Sequence, residues 1–128
     1  MSTAAEMVAE ARSEVEQITP QDATAEAYAQ HVVFLDVREP VEWEHHIEGA
    51  VQVPRGLLEF RADPAAAQHI AELDPATRII VYCRSGGRGA LAAAALKQLG
   101  FENVANLAGG FKAWKAAGLP TSEHHADF

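Results

Sequence analysis

The chain has 128 residues, 48% of them apolar and 22% charged, the size and balance of one globular domain with its own core. Ten basic against eighteen acidic side chains leave a net charge of −8, which argues against nucleic acid and anionic membrane partners and makes any local cationic spot informative. The longest apolar run is 90–96, too short to cross a bilayer; no signal-like start is visible and a single cysteine forms no internal disulfide, so the expectation is cytoplasmic.

Residues 1–17 read as a polar helical extension, with Met7, Val8, Ala11 and Val15 on a thin apolar stripe. Thr19-Pro20 is a cap followed by proline at a first helical position, opening a short helix to about Gln30. The run 31–36 is apolar on both faces, the pattern of a buried parallel strand. Pro40 breaks the chain, 41–45 suggests a turn or two of helix, and 50–53 is a second short strand stopped by Pro54. Asp63-Pro64 predicts a capped helix over 63–73. The run 78–82 is the most strand-like of the chain, followed by a glycine-rich segment and an Ala/Leu helix over 90–99, closed by Gly100. One more strand falls within 101–107, a last helix spans 111–117, and 121–128 reads as a loose tail. Strands alternating with helices predict an α/β domain with a mainly parallel sheet covered on both faces, whose ligands bind beyond the carboxyl ends of the strands. Cys83, Asp36 and Arg38 fall at such ends.

A lone cysteine beside an apolar strand is usually a small buried hydrophobe. The segment after this one is unusual: Arg84-Ser85-Gly86-Gly87-Arg88-Gly89 carries three glycines and two arginines. Glycines let successive backbone N–H groups converge into an anion nest, and the next helix adds the positive end of its dipole. Ser85 offers a hydroxyl and the arginines offer fixed charge, all favouring a thiolate at Cys83. Tyrosine phosphatases place five residues between a loop cysteine and its arginine; here there are four between Cys83 and Arg88, a smaller loop suited to a single extra sulfur atom. No Cys/His spacing of a zinc site exists, the adjacent pairs His45-His46 and His124-His125 are expected at the surface, and no metal is expected.

Three ordered segments resemble the rhodanese family over about 18–120. They are Leu35-Asp36-Val37-Arg38-Glu39-Pro40-Val41-Glu42-Trp43-Glu44 running into His46-Ile47-Glu48-Gly49-Ala50, then Val81-Tyr82-Cys83-Arg84-Ser85-Gly86-Gly87-Arg88, then Asn106-Leu107-Ala108-Gly109-Gly110-Phe111-Lys112-Ala113-Trp114. Two departures stand out: family members commonly carry Gly-His-Ile-Pro-Gly-Ala where this chain has His45 to Ala50, and end the loop in Arg-Ser where it has Arg88-Gly89. The resemblance implies a three-layer fold of about five strands with helices on both faces. It also implies sulfur transfer without a cofactor. Cys83 would take sulfane sulfur from a small anionic donor such as thiosulfate and pass it to a thiol, protein or cyanide acceptor. Loop amides and Arg88 would stabilise the intermediate, Arg84 would draw in the donor, Asp36 would orient an arginine or the loop, and Arg38 would bind donor or pair with Glu39 or Glu42. Other readings are a phosphatase or arsenate reductase on the same fold, or a binding module; the chain is expected as a monomer or homodimer.

Overall fold

Runs of β-branched residues become the middle of a sheet in the computed structural model, which describes residues 2–123. The strands are β1 (Glu16–Ile18), β2 (Val33–Asp36), β3 (His45–Ile47), β4 (Val51–Gln52), β5 (Ile79–Tyr82), β6 (Val104–Leu107) and β7 (Thr121–Glu123). The helices are α1 (Ala4–Glu14), α2 (Pro20–Ala29), α3 (Leu58–Ala62), α4 (Gly87–Gln98) and α5 (Gly110–Ala116). Five strands form one sheet in the order β1-β6-β5-β2-β4, with every neighbouring pair parallel. β3 and β7 pair antiparallel in a small side sheet.

The two-residue alternation of a strand divides the core into two layers. Val33, Leu35, Ile79, Val81 and Val104 pack with Val15, Leu58, Ala62, Ala92, Ala93 and Leu96, so α3, α4 and the end of α1 cover one face. Phe34, Ile80, Tyr82, Ala105 and Leu107 pack with Ala23, Phe111 and Trp114, so α2 and α5 cover the other. β5 is central and buried along its length, which makes its carboxyl end the best-supported point of the molecule. At its other end the buried Arg78 binds Glu16, Glu26 and Asn103, tying β1, α2 and the approach to β6 together.

Four expectations are corrected. The helix expected over 63–73 is absent; the short α3 comes before it, and 63–77 is a series of turns. Asp63 Oδ1 accepts the Ala65 N–H two residues on, at 2.9 Å, and Asp74 repeats this with Ala76, so local side-chain bonds replace a helical ladder. The helical extension 1–17 ends at Glu14, and residues 16–18 turn into an edge strand on β6. The turn at 41–45 is a single 3-10 turn, Pro40–Glu42, and His45 already belongs to β3. Of the tail, Thr121–Glu123 is the strand β7; the rest of that expectation, including His124 and His125, lies outside the described residues.

Candidate functional site: the cysteine loop

β5 delivers Cys83 to the carboxyl edge of the sheet. The chain then turns at Gly86, whose φ of +118° suits glycine, and enters α4 at Gly87, three residues earlier than composition suggested. The Gly86 N–H donates to Cys83 Sγ at 3.1 Å. Several amides were expected to converge on the sulfur; among the described residues this is the one within hydrogen-bond distance. The reason is the strand's own alternation. Cys83 continues the Ile79–Val81 face, so its side chain sits 1% exposed on the floor of the loop, against the apolar layer under α4.

The outer side of the loop is held by α5. Phe111 N–H donates to Cys83 O at 2.8 Å and Lys112 N–H to Arg84 O at 3.0 Å. In a trans peptide the N–H opposes the C=O, so the Arg84 and Ser85 amides turn away from α5. This approach depends on Gly110, at φ +61°: a Cβ there would lie 2.5 Å from Cys83 O. The inner side is held from β6. Asn106 is fully buried, and its Nδ2 donates to Gly86 O at 3.1 Å and to Gln17 Oε1 at 3.0 Å.

The arginines take different places. Arg88 is gripped by Glu42, its two terminal nitrogens 2.7 and 3.0 Å from the carboxylate oxygens, while Glu42 also accepts the Glu39 N–H at 2.9 Å. These bonds, the Arg88 pair foremost, lower the Glu42 carboxyl to about 2; the same partner raises Arg88, and the nearness of Cys83 adds to that. Arg38 is buried and holds Asp36, itself 0% exposed, through Nε and a terminal nitrogen at 2.8–3.2 Å; it also donates to His45 O. A surface pairing of Arg38 with Glu39 or Glu42 is therefore not what forms. The Arg38 guanidinium stacks 4.5 Å from the Phe111 ring centre. Tyr82 donates to Asp36 at 2.9 Å and accepts the Ile47 N–H; burial and the Asp36 charge push its phenol well up. The Asp36 carboxylate thus lies against the Arg38 guanidinium and the Tyr82 hydroxyl. Arg84 and Ser85 are exposed at the rim.

Beside the loop lies an open cleft of about 300 Å³ lined by Arg38, Glu42, Arg84, Phe111, Lys112 and Lys115. Arg84, Lys112 and Lys115 have no ion-pair partner among the described residues, which leaves this cleft cationic in a protein of charge −8. Sequence reasoning missed three contributors: Glu42, taken only as a possible surface partner, Asn106, and the lysines of α5. Asn106 had a signal, being the one polar residue at the end of an otherwise apolar strand.

A cysteine at the end of a central parallel strand, turned by glycine into a helix start, defines a class of cysteine-loop α/β domains. The comparisons narrow that class. The Rhodanese-like domain family matches residues 19–117, and the chain belongs to that family. It is 38% identical over 93 residues to thiosulfate sulfurtransferase 16, chloroplastic, of Arabidopsis thaliana, covering 69% of this chain and 78% of that one. It is 37% identical over 84 residues to the probable adenylyltransferase/sulfurtransferase MoeZ of Mycobacterium tuberculosis, covering 65% of this chain but spanning only 20% of that protein. Among solved structures, a protein of unknown function from Rhodopseudomonas palustris, called a possible tyrosine phosphatase, is 35% identical with a TM-score of 0.87, over 95% of this chain and 96% of that one. Both of the curated relatives are named as sulfurtransferases, and this chain spans about a fifth of the length of MoeZ. No helix among the described residues is long and apolar enough to cross a membrane.

Proposed function

We propose that the protein moves sulfane sulfur from thiosulfate or a persulfide donor to a thiol acceptor, through a persulfide on Cys83. The Cys83 thiolate attacks the outer sulfur of the donor. A new S–S bond forms, the donor's S–S bond breaks, and its electron pair leaves with sulfite from thiosulfate or with a thiolate from a persulfide donor. An acceptor thiolate then attacks the outer sulfur of the Cys83 persulfide, and the bonding pair returns to Cys83 as thiolate. Neither step requires a metal or an external oxidant.

The observation that carries this reading is the Gly86 N–H aimed at Cys83 Sγ from the corner where α4 begins, with four residues between Cys83 and Arg88. A sulfur lying this deep favours a donor that presents one slender terminal atom over a tetrahedral phosphate ester. Arg84 and Lys112 at the cleft supply the attraction for an anionic donor. Incubation with thiosulfate, followed by intact mass spectrometry, tests it: the wild type gains about 32 Da, one sulfur atom, and Cys83→Ala does not. No gain from a panel of sulfane donors, together with Cys83-dependent turnover of a phosphoaryl ester, would replace this reading with the phosphatase one.

A further inference from the structure

The family match begins at residue 19, yet the segment before it reaches the reactive loop by two routes that meet on Gly86. α1 lies along α4, pinned where Lys97 Nζ donates to Glu14 O at 2.9 Å and where Ala11 and Val15 are buried. From this helix the Arg12 guanidinium comes 3.4 Å from where a Gly86 Cβ would stand, and the Val8 methyls come 3.8 and 3.9 Å from the same point on Gly87. From β1, Gln17 accepts Asn106 Nδ2, which in turn holds Gly86 O. Gly86 is the residue whose N–H meets the sulfur.

The charges around the loop show what Arg12 adds. Arg88 on α4 is neutralised by Glu42, and Arg38 after β2 by Asp36. The charge left over comes from Arg84 and, on α5, Lys112 and Lys115, all on the cleft side, and from Arg12 on the α4 side. Arg12 is exposed and has no ion-pair partner among the described residues. We infer that the segment before the family domain is part of the reactive site, with Arg12 a positioning residue whose charge, held against the Gly86 corner, favours anionic sulfur on Cys83. This rests on the persulfide reading and extends it to a residue outside the matched domain.

The test compares full-length wild type, Arg12→Met and Arg12→Lys by the rate of Cys83 alkylation with iodoacetamide, alongside sulfur loading from thiosulfate. At about pH 7 the Arg12→Met rate falls about threefold while Arg12→Lys stays near wild type, and at about pH 10, where thiols are ionised, all three converge. An unchanged Arg12→Met rate overturns the inference, as does an equal loss in both variants or a deficit that persists at the higher pH, since those are marks of packing and not of charge. Wild type that fails to load sulfur from any donor overturns the persulfide reading instead; wild type that loads, with Arg12→Met labelling as wild type does, overturns only the role of Arg12.

Discussion

Replacing Gly89 by alanine sets two effects against each other. Gly89 is in the first turn of α4, with a helical φ, where alanine would add up to about 1 kcal/mol of helix propensity. Its Cβ, however, would land on the Asn106 carboxamide, inside contact distance of Oδ1 and 3.5 Å from Cγ, and 3.4 Å from Cys83 N. Asn106 has nowhere to go: it is fully buried, and swinging away breaks its bonds to Gln17 and Gly86 O, each worth about 0.5–1.5 kcal/mol. Crowding a packed core costs about 1–3 kcal/mol, so after the gain in helix propensity Gly89→Ala destabilises by a net of up to about 2 kcal/mol. In an Asn106→Ala background the obstacle is gone, and the same substitution becomes neutral or stabilising by up to about 1 kcal/mol. Urea denaturation of the four proteins measures this as a change of sign between backgrounds. A Gly89→Ala effect of the same sign and size in both would refute the claim that Asn106 excludes a side chain from position 89.

Three other outcomes are expected at the site. Asp36→Asn strips the charge partner from buried Arg38 and is expected to cost about 3–5 kcal/mol, read as a fall of roughly 10 °C or more in the thermal midpoint; a loss below about 1 kcal/mol would mean that water reaches Arg38. Gly110→Ala puts a methyl 2.5 Å from Cys83 O and is expected to cost about 2 kcal/mol or more and to slow sulfur loading, whereas Gly118→Ala, at φ +71° with nothing within 4 Å, costs about 1 kcal/mol and leaves loading unchanged; equal costs would show that strain alone decides. Glu42, lowered in the folded state from 4.5 to about 2, stabilises fully above the unfolded value and loses that contribution as pH falls from 4.5 toward 2. Because Arg88 is partly exposed, the contribution is discounted to about 1 kcal/mol, and Glu42→Gln should flatten the acid limb of the stability profile by that amount.

How much of this could be read from the chain depends on how far apart the partners lie. The loop was legible because its signal is local: three glycines, two arginines and a strand end within seven residues. The layers were legible for the same reason, since the two-residue alternation of 33–36 and 79–82 needs no distant partner. Compensation of charge was not, because Glu42 meets Arg88 across 46 residues and Asn106 meets Gly86 across 20. Counting arginines near Cys83 therefore overstated the positive field at the loop: Arg88 and Arg38 each bring a carboxylate with them, while Lys112 and Arg12, which bring none, come from helices far away in sequence. The helix expected at 63–73 failed in the opposite way. Asp63 was a good cap by type, but its carboxylate closes a turn on Ala65 two residues on, as Asp74 does on Ala76, so the same side chain that caps a helix also competes with one. A strand of three residues such as β1, two of them polar, carries almost no pattern of its own; it forms because β6 presents an unpaired edge, and through Gln17 that edge contact is felt at the cysteine.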